Sequence, residues 1–244
     1  MRNRWLRRAA MLGLVALTAV AVAWTGWQLS KSRRYQLFGD LVTRVETADS
    51  VVALTFDDGP VPRYTDSVLA ILADSGVRAT FFTIGAALRD HPDIAVRIAR
   101  AGHELGNHSF SHKRLVLKSP GYVRREIRTT DSLIRSTGYD GTIHFRPPYG
   151  KRLVILPWIL SRHDRPVILA DLEPDSNPAT AVDAARMVDH VSSNVRPGSI
   201  ILMHVEMPSR STGREALPSL IGALHSQGYR FVTVSELMRR GPHS

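Results

Sequence analysis

The 244-residue sequence predicts an α/β protein in which seven βα units form a closed or nearly closed parallel barrel. Short, nearly continuous apolar runs such as Val51–Phe56, Ala79–Ile84 and Ser199–Met203 alternate with helical segments of about ten to fifteen residues, the pattern of βαβ units. The runs lack the alternation of a sheet with one wet face, so both faces are covered. Polar clusters recur just past the ends of the runs, and in a parallel barrel those ends share one rim.

Taken in order, the chain opens with Arg2, Arg4, Arg7 and Arg8, followed by an uncharged stretch of 21 residues from Ala9 to Leu29. That is about the length of a bilayer-spanning helix, and Trp24 and Trp27 fall where an interfacial aromatic belt would sit. Ala21-Val22-Ala23 resembles a signal-peptidase site. The apolar run continues past it and exceeds the roughly 7–15 residues of a signal core, which favours an uncleaved anchor over residues 1–30. The arginines place the N-terminus in the cytoplasm and the body outside; secretion after cleavage is the alternative. Residues 31–50 read as a polar connector and residues 51–240 as the catalytic domain.

Within the body, the strand Val51–Phe56 is followed by a helix over Thr65–Ser75, a strand over Ala79–Ile84 and a helix over Pro92–Ala101. A short strand over His103–Asn107, a helix over Tyr122–Ser136 and brief strands at Ile143–Phe145 and Pro166–Ala170 come next. Helices over Ala179–Asn194 and Leu217–Ser226 flank the strand Ser199–Met203, and Arg230–Val234 is the last strand. Gly76 and Gly102 stop the first two helices, as glycine does just past a C-terminus.

The formal charge is +10, of which residues 1–40, with seven Lys/Arg and one Asp, supply +6 and the rest +4. A body so mildly basic, with no clustered basic face or recognisable module, gives no reason to expect nucleic acid as a partner. The absence of cysteine excludes disulfides and Cys-ligated zinc, so any metal is held by His, Asp or Glu.

Asp57 and Asp58 end the first strand and meet the turn signal Gly59-Pro60. Two carboxylates at the mouth of a buried strand are costly unless a metal or cation pairs them. His108 and His112 are spaced i, i+4, which on a helical turn directs both rings to one side and suits two ligands of a zinc-like cation. With Asp58 as third ligand, a position is left open for water, as in catalytic zinc sites. Arg146-Pro147-Pro148-Tyr149-Gly150 forms a stiff loop that can aim a backbone N–H at an oxyanion, with Arg146 a fork for a carboxylate such as Asp57. His204 ends the Ser199–Met203 strand, where its pKa suits a general acid.

These residues together resemble the NodB-homology polysaccharide deacetylases, carbohydrate esterase family 4. The resemblance spans most of residues 51–238 and rests on TFDDGP at 55–60, HSFSH at 108–112, RPPYG at 146–150 and ILMH at 201–204. It implies a distorted (β/α)7 barrel, a divalent metal (most often zinc) and hydrolysis of an N-acetyl group from an amino sugar. By the same resemblance, Asp57 is the base and Asp58, His108 and His112 are the metal ligands. Arg146 orients Asp57, the Tyr149 backbone binds the oxyanion, His204 is the acid and Leu202 lines the acetyl pocket. One motif departs: Ala170–Asn177 carries acids but not the family's tryptophan. Glu173 is the expected buttress of Arg146, with Asp171 and Asp175 as rivals. The motifs would also serve O-deacetylation, hydrolysis of a smaller amide, or a carbohydrate-binding relative without activity. An N-acetylated glycan of the cell envelope or exterior is the expected substrate, and the membrane the expected second partner.

Overall fold

The structure, a computed structural model, describes residues 2–241. The chain runs as α1 (Arg2–Ser30), β1 (Leu41–Val42), β2 (Val51–Asp57), α2 (Pro62–Asp74), β3 (Thr80–Thr83), α3 (Gly85–Asp90), α4 (Pro92–Arg100) and β4 (Glu104–Asn107). It continues as α5 (Pro120–Ser136), a 3-10 turn at Pro148–Gly150, α6 (Ile155–Ser161), β5 (Val167–Ile168) and α7 (Ala184–Asn194). It closes with β6 (Ile200–Met203), α8 (Ser211–Ser226), β7 (Arg230–Val232) and α9 (Val234–Met238).

β2 is the centre of the sheet and is buried at all seven positions. It pairs in parallel with β3 from Thr55↔Thr80 to Asp57↔Phe82, with β6 from Ala53↔Ile200 to Phe56↔Met203, and with β7 at Val51–Ala53. β3 pairs onward with β4, and β1 with β5. Isolated parallel bridges at Asn107↔Phe145, Phe145↔Val167 and Leu172↔Ile201 link the two pieces. The strands named here pair in parallel as expected, but regular ladders run through five of them in one piece and two in the other. A closed seven-stranded barrel is therefore not drawn by the ladders themselves.

The period-2 alternation of strand side chains sorts β2 into two faces. Val52, Leu54 and Phe56 pack outward with Val68, Leu72, Ile98 and Leu220 of α2, α4 and α8. Val51 and Ala53 pack inward with Phe82, Ile168, Ala170, Ile200 and Leu202. The same parity sends Thr55 and Asp57 inward, and Ile200, Leu202 and His204 form the matching series along β6. The inner face is thus apolar at its base and polar at the C-terminal rim.

Several boundaries differ from those read off the sequence. α7 starts five residues later than expected, at Ala184, where the Asp183 side chain accepts from the Arg186 N–H and so caps the helix. α8 starts six residues earlier than expected and contains Pro218. Ile143–Phe145 forms only bridges. The connector is not a detached linker: it holds β1, buries Val45, and donates from the Val45 N–H to the Gly198 carbonyl at 3.0 Å. α1 covers the uncharged segment Ala9–Leu29; it is apolar and long enough to cross a membrane over Arg4–Ser30, with none of its most apolar stretch buried and Ser30 at its end buried against the body.

Candidate active site

The rim of the inner face opens into a cavity of about 410 Å³. Asp57, Asp58, His108, His112, Arg146, Tyr149, Leu202, His204 and Glu173, all singled out in the sequence, line it. They arrive from the C-terminal ends of β2, β4 and β6, the Phe145 bridge and the turn after Ala170.

Asp58 Oδ1 lies 3.0 Å from His112 Nε2 and 3.5 Å from His108 Nε2, and one ligand atom from each residue falls within 4.8 Å of the others. His108 Nδ1 contacts the Arg146 carbonyl at 2.8 Å. A carbonyl can only accept, so the ring proton is on Nδ1 and the Nε2 lone pair faces Asp58. Burial lowers the His108 pKa, against the pull of Asp57 and Asp58, and keeps the ring neutral. Burial works against ionisation of Asp58, but His112 and His108 outweigh it and bring its pKa down to about 2. Asp58 Oδ1 is buried with no hydrogen-bond partner among the described residues. A carboxylate oxygen and two imidazole nitrogens converging within 4.8 Å, with the His108 Nε2 lone pair directed at them, fit the donor set of a divalent cation.

The geometry is made by loops rather than by a helix. His108 and His112 were expected on one helical turn; residues 108–112 are irregular, and His112 has φ 53°. Their rings nonetheless lie 4.9 Å apart, and His112 packs on the Tyr149 ring at 4.8 Å. Glu126, buried on α5, holds this loop by accepting from the N–H groups of Phe110 and Ser111 and from Ser111 Oγ. Asp58, Ser109, His112 and Tyr149 all adopt positive φ, a conformation that costs a non-glycine residue energy and clusters at functional sites.

Asp57 is 2 % exposed. Its Oδ1 accepts from Arg146 Nη1 at 2.7 Å, while Oδ2 lies 3.6 Å from His108 Nε2, on the side of the cation site. Arg146, equally buried, also donates to Thr55 Oγ1 at 2.8 Å and to the Leu169 carbonyl at 3.0 Å, and stacks 4.0 Å from the Phe82 ring centroid.

The expectation that Glu173 buttresses Arg146 is corrected: Glu173 pairs with Arg33 of the connector. The rivals do not fill that place either. Asp171 accepts from Ser199 Oγ and the Ile200 N–H, both at 2.8 Å, and so secures the start of β6. Asp175, fully buried, accepts from the His204 N–H and contacts His204 Nδ1 at 3.2 Å. Burial opposes charge on His204, but the Asp175 hydrogen bond, with the charges of Asp57, Asp175 and Asp58, prevails and raises its pKa to about 9. Thr55 and Glu126 are thus site residues that the sequence did not single out, and Asp175 was named there only as a rival partner of Arg146, not as the partner of His204.

Glu206, for which the sequence carries no signal, lies beside the site. It is wholly buried beneath the Gly59 turn, accepts from Thr65 Oγ1, and has its pKa raised to about 8, first by burial.

Comparison with known proteins gives the same family throughout. The polysaccharide deacetylase family model matches residues 44–167. A peptidoglycan-N-acetylglucosamine deacetylase of Bacillus cereus is 31% identical over 201 residues, covering 82% of this chain and 94% of its own. A chitooligosaccharide deacetylase of Sinorhizobium fredii is 35% identical, covering 77% and 92%. The crystal structure of a peptidoglycan N-acetylglucosamine deacetylase in complex with 4-naphthalen-1-yl-N-oxidanyl-benzamide superposes with a TM-score of 0.75 at 29% identity, covering 82% of this chain and 94% of that one.

Proposed function

Since the chain belongs to the polysaccharide deacetylase family, we propose that its site is a metal-dependent N-deacetylase acting on amino sugars of a cell-envelope or extracellular glycan. What carries the reading is one cavity holding three separate devices: the Asp58–His108–His112 set, the Arg146-paired Asp57, and the Asp175-paired His204. Asp58, His108 and His112 would hold a divalent cation, zinc by their two-imidazole, one-carboxylate chemistry, and it would supply Lewis-acid polarisation of the amide carbonyl and a more acidic water.

The chain's own groups do the rest. Asp57, with Oδ1 fixed by Arg146, presents Oδ2 as the base that takes a proton from water. The Tyr149 N–H, which makes no hydrogen bond among the described residues, is the donor for the oxyanion; such a donor is worth roughly 10²–10³ in rate. His204, protonated at neutral pH, gives its proton to the nitrogen as the C–N bond breaks. Leu169 and Leu202 form the apolar wall against which an acetyl methyl packs. Water adds to the carbonyl carbon, acetate and the free amine leave, and Asp57 and His204 recover their protonation from solvent.

α1 is proposed to anchor this body to a membrane, its N-terminus cytoplasmic and its site outside; a cleaved signal sequence is the competing role. The test of the activity is acetate release from N-acetylglucosamine oligomers by chelated enzyme, zinc-restored enzyme and zinc-loaded Asp57→Asn. Release is expected only from the zinc-restored enzyme, with Asp57→Asn down by roughly 10²–10⁴. Near-normal turnover by Asp57→Asn would remove Asp57 as base.

A further inference from the structure

The end of α1 is built into the cavity. The guanidinium of Arg152, 1 % exposed, lies between the connector and the Tyr149 loop. It donates to the carbonyls of Ser32 and Gly150 and to Gln36 Oε1, while the Arg152 N–H donates to the Ser30 carbonyl at 3.0 Å. Clamped in this way, the first residues after α1 cannot swing clear of the site, and Lys31 and Arg33 line the same cavity as Asp57.

The charges around the mouth do not cancel. Each cavity acid is already engaged: Asp57 by Arg146, Asp58 by the two histidines, Glu173 by Arg33. Lys31, Arg114 and Lys151 make no ion pair with an acid among the described residues. Arg114 lies 5.0 Å over the ring of Tyr149, which lines the cavity, and Lys151, next to the lining residue Gly150, lies 4.5 Å over the Trp27 ring, so both flank the mouth rather than line it. The Lys151 pKa is lowered by burial and then by Lys31 and Arg114, as for cations crowded on one side. Three such groups gain most from a group of multiple negative charge with several acceptor oxygens, which is a phosphate.

We propose that the substrate is an N-acylated amino sugar bearing a phosphate ester, with the phosphate seated on Lys31, Arg114 and Lys151 while the amide lies at Asp57. A cavity of about 410 Å³ is in the range of small-molecule sites. Lys31 directly follows the last residue of α1, so a phosphate at that point lies at the level of lipid headgroups if α1 spans a bilayer. This inference rests on the deacetylase reading.

The test uses full-length, zinc-loaded protein in non-ionic detergent. Binding of N-acetylglucosamine 1-phosphate and of N-acetylglucosamine is measured by titration calorimetry, for wild type and for Lys31→Gln/Arg114→Gln/Lys151→Gln. Wild type is expected to bind the phosphorylated sugar at least tenfold more tightly, and the triple variant to bring the ratio within twofold. The wild-type preference should also shrink as salt rises, because exposed charges are screened within about 8 Å at 0.15 M. A wild-type ratio near one, or a tenfold ratio that survives in the triple variant, overturns the inference. Acetate release from a polyprenyl-diphosphate-linked N-acetylglucosamine in phosphatidylcholine vesicles, against the soluble sugar phosphate, assigns the source of the phosphate. Faster release from the lipid form identifies a headgroup and faster release from the soluble form a free phosphate, both in support of the site. Acetate release from neutral oligomers without phosphate preference removes this inference alone; phosphate preference without acetate release from any sugar removes the deacetylase reading alone.

Discussion

Asp175 lies behind His204 and decides over which pH range the ring is charged. Because the shift is upward, the protonated acid is present below about 9 and is lost as pH rises through that value. Asp175→Asn removes both the acceptor charge and its hydrogen bond, so the ring should lose its proton earlier. The alkaline limb of the kcat–pH profile is expected to move at least one unit toward acid, with bound zinc unchanged; a limb that stays in place would rule Asp175 out as the residue that sets it. The sequence could not single out this aspartate. Asp171, Glu173 and Asp175 share one short turn, and spacing does not tell which of three acids faces inward. Asp57, Asp58, His108, His112, Arg146 and His204 were legible because each lies just past an apolar run. Thr55 and Glu126 were not: one reads as a strand residue and the other as a helix residue, and only the fold brings them to Arg146 and to the histidine loop.

At the scale of elements, the long apolar strands and the amphipathic helices α2, α4 and α5 were readable because burial imposes a clear period. The six- and seven-residue helices α3 and α6 are too short to show one. Pro218 made α8 appear to begin at Leu217, since proline is tolerated in a first turn. The docking of the polar connector was not legible because a few backbone contacts fix it. Gly198 is one of these: it has φ +79°, and a Cβ there would lie 1.7 Å from the Val45 carbonyl oxygen. Gly198→Ala is therefore expected to destabilise the body by about 2–3 kcal/mol through strain and overpacking, read as a lower urea midpoint. An unchanged midpoint would mean that the connector is not docked. Arg152→Met should cost about 1.5–3 kcal/mol from its charge-assisted hydrogen bonds and open residues 31–36 to protease. Protection equal to wild type would mean that the segment is held by something else.

For the whole molecule, the three candidate ligand residues come from the position just after β2 and from the loop after β4, so a cation bound there would join parts of the chain that are distant in sequence. Anything that binds only the folded state stabilises it, by about 2.7 kcal/mol at a hundredfold excess over Kd, or about 5–10 °C in Tm for a chain of this size. Chelation is expected to lower Tm by that order and zinc to restore it; a Tm indifferent to both would mean that no cation binds there. The Arg152 clamp bears on where the molecule can be cut. The family match begins at residue 44, which makes that position a natural boundary for a soluble fragment. Cutting there would remove β1, Lys31 and Arg33, and would leave Arg152 with the Gly150 carbonyl but without Ser32 or Gln36. Such a fragment would keep every motif shared with its relatives, yet it would lack one side of its own cleft, and its preferences among sugars would be those of an incomplete pocket.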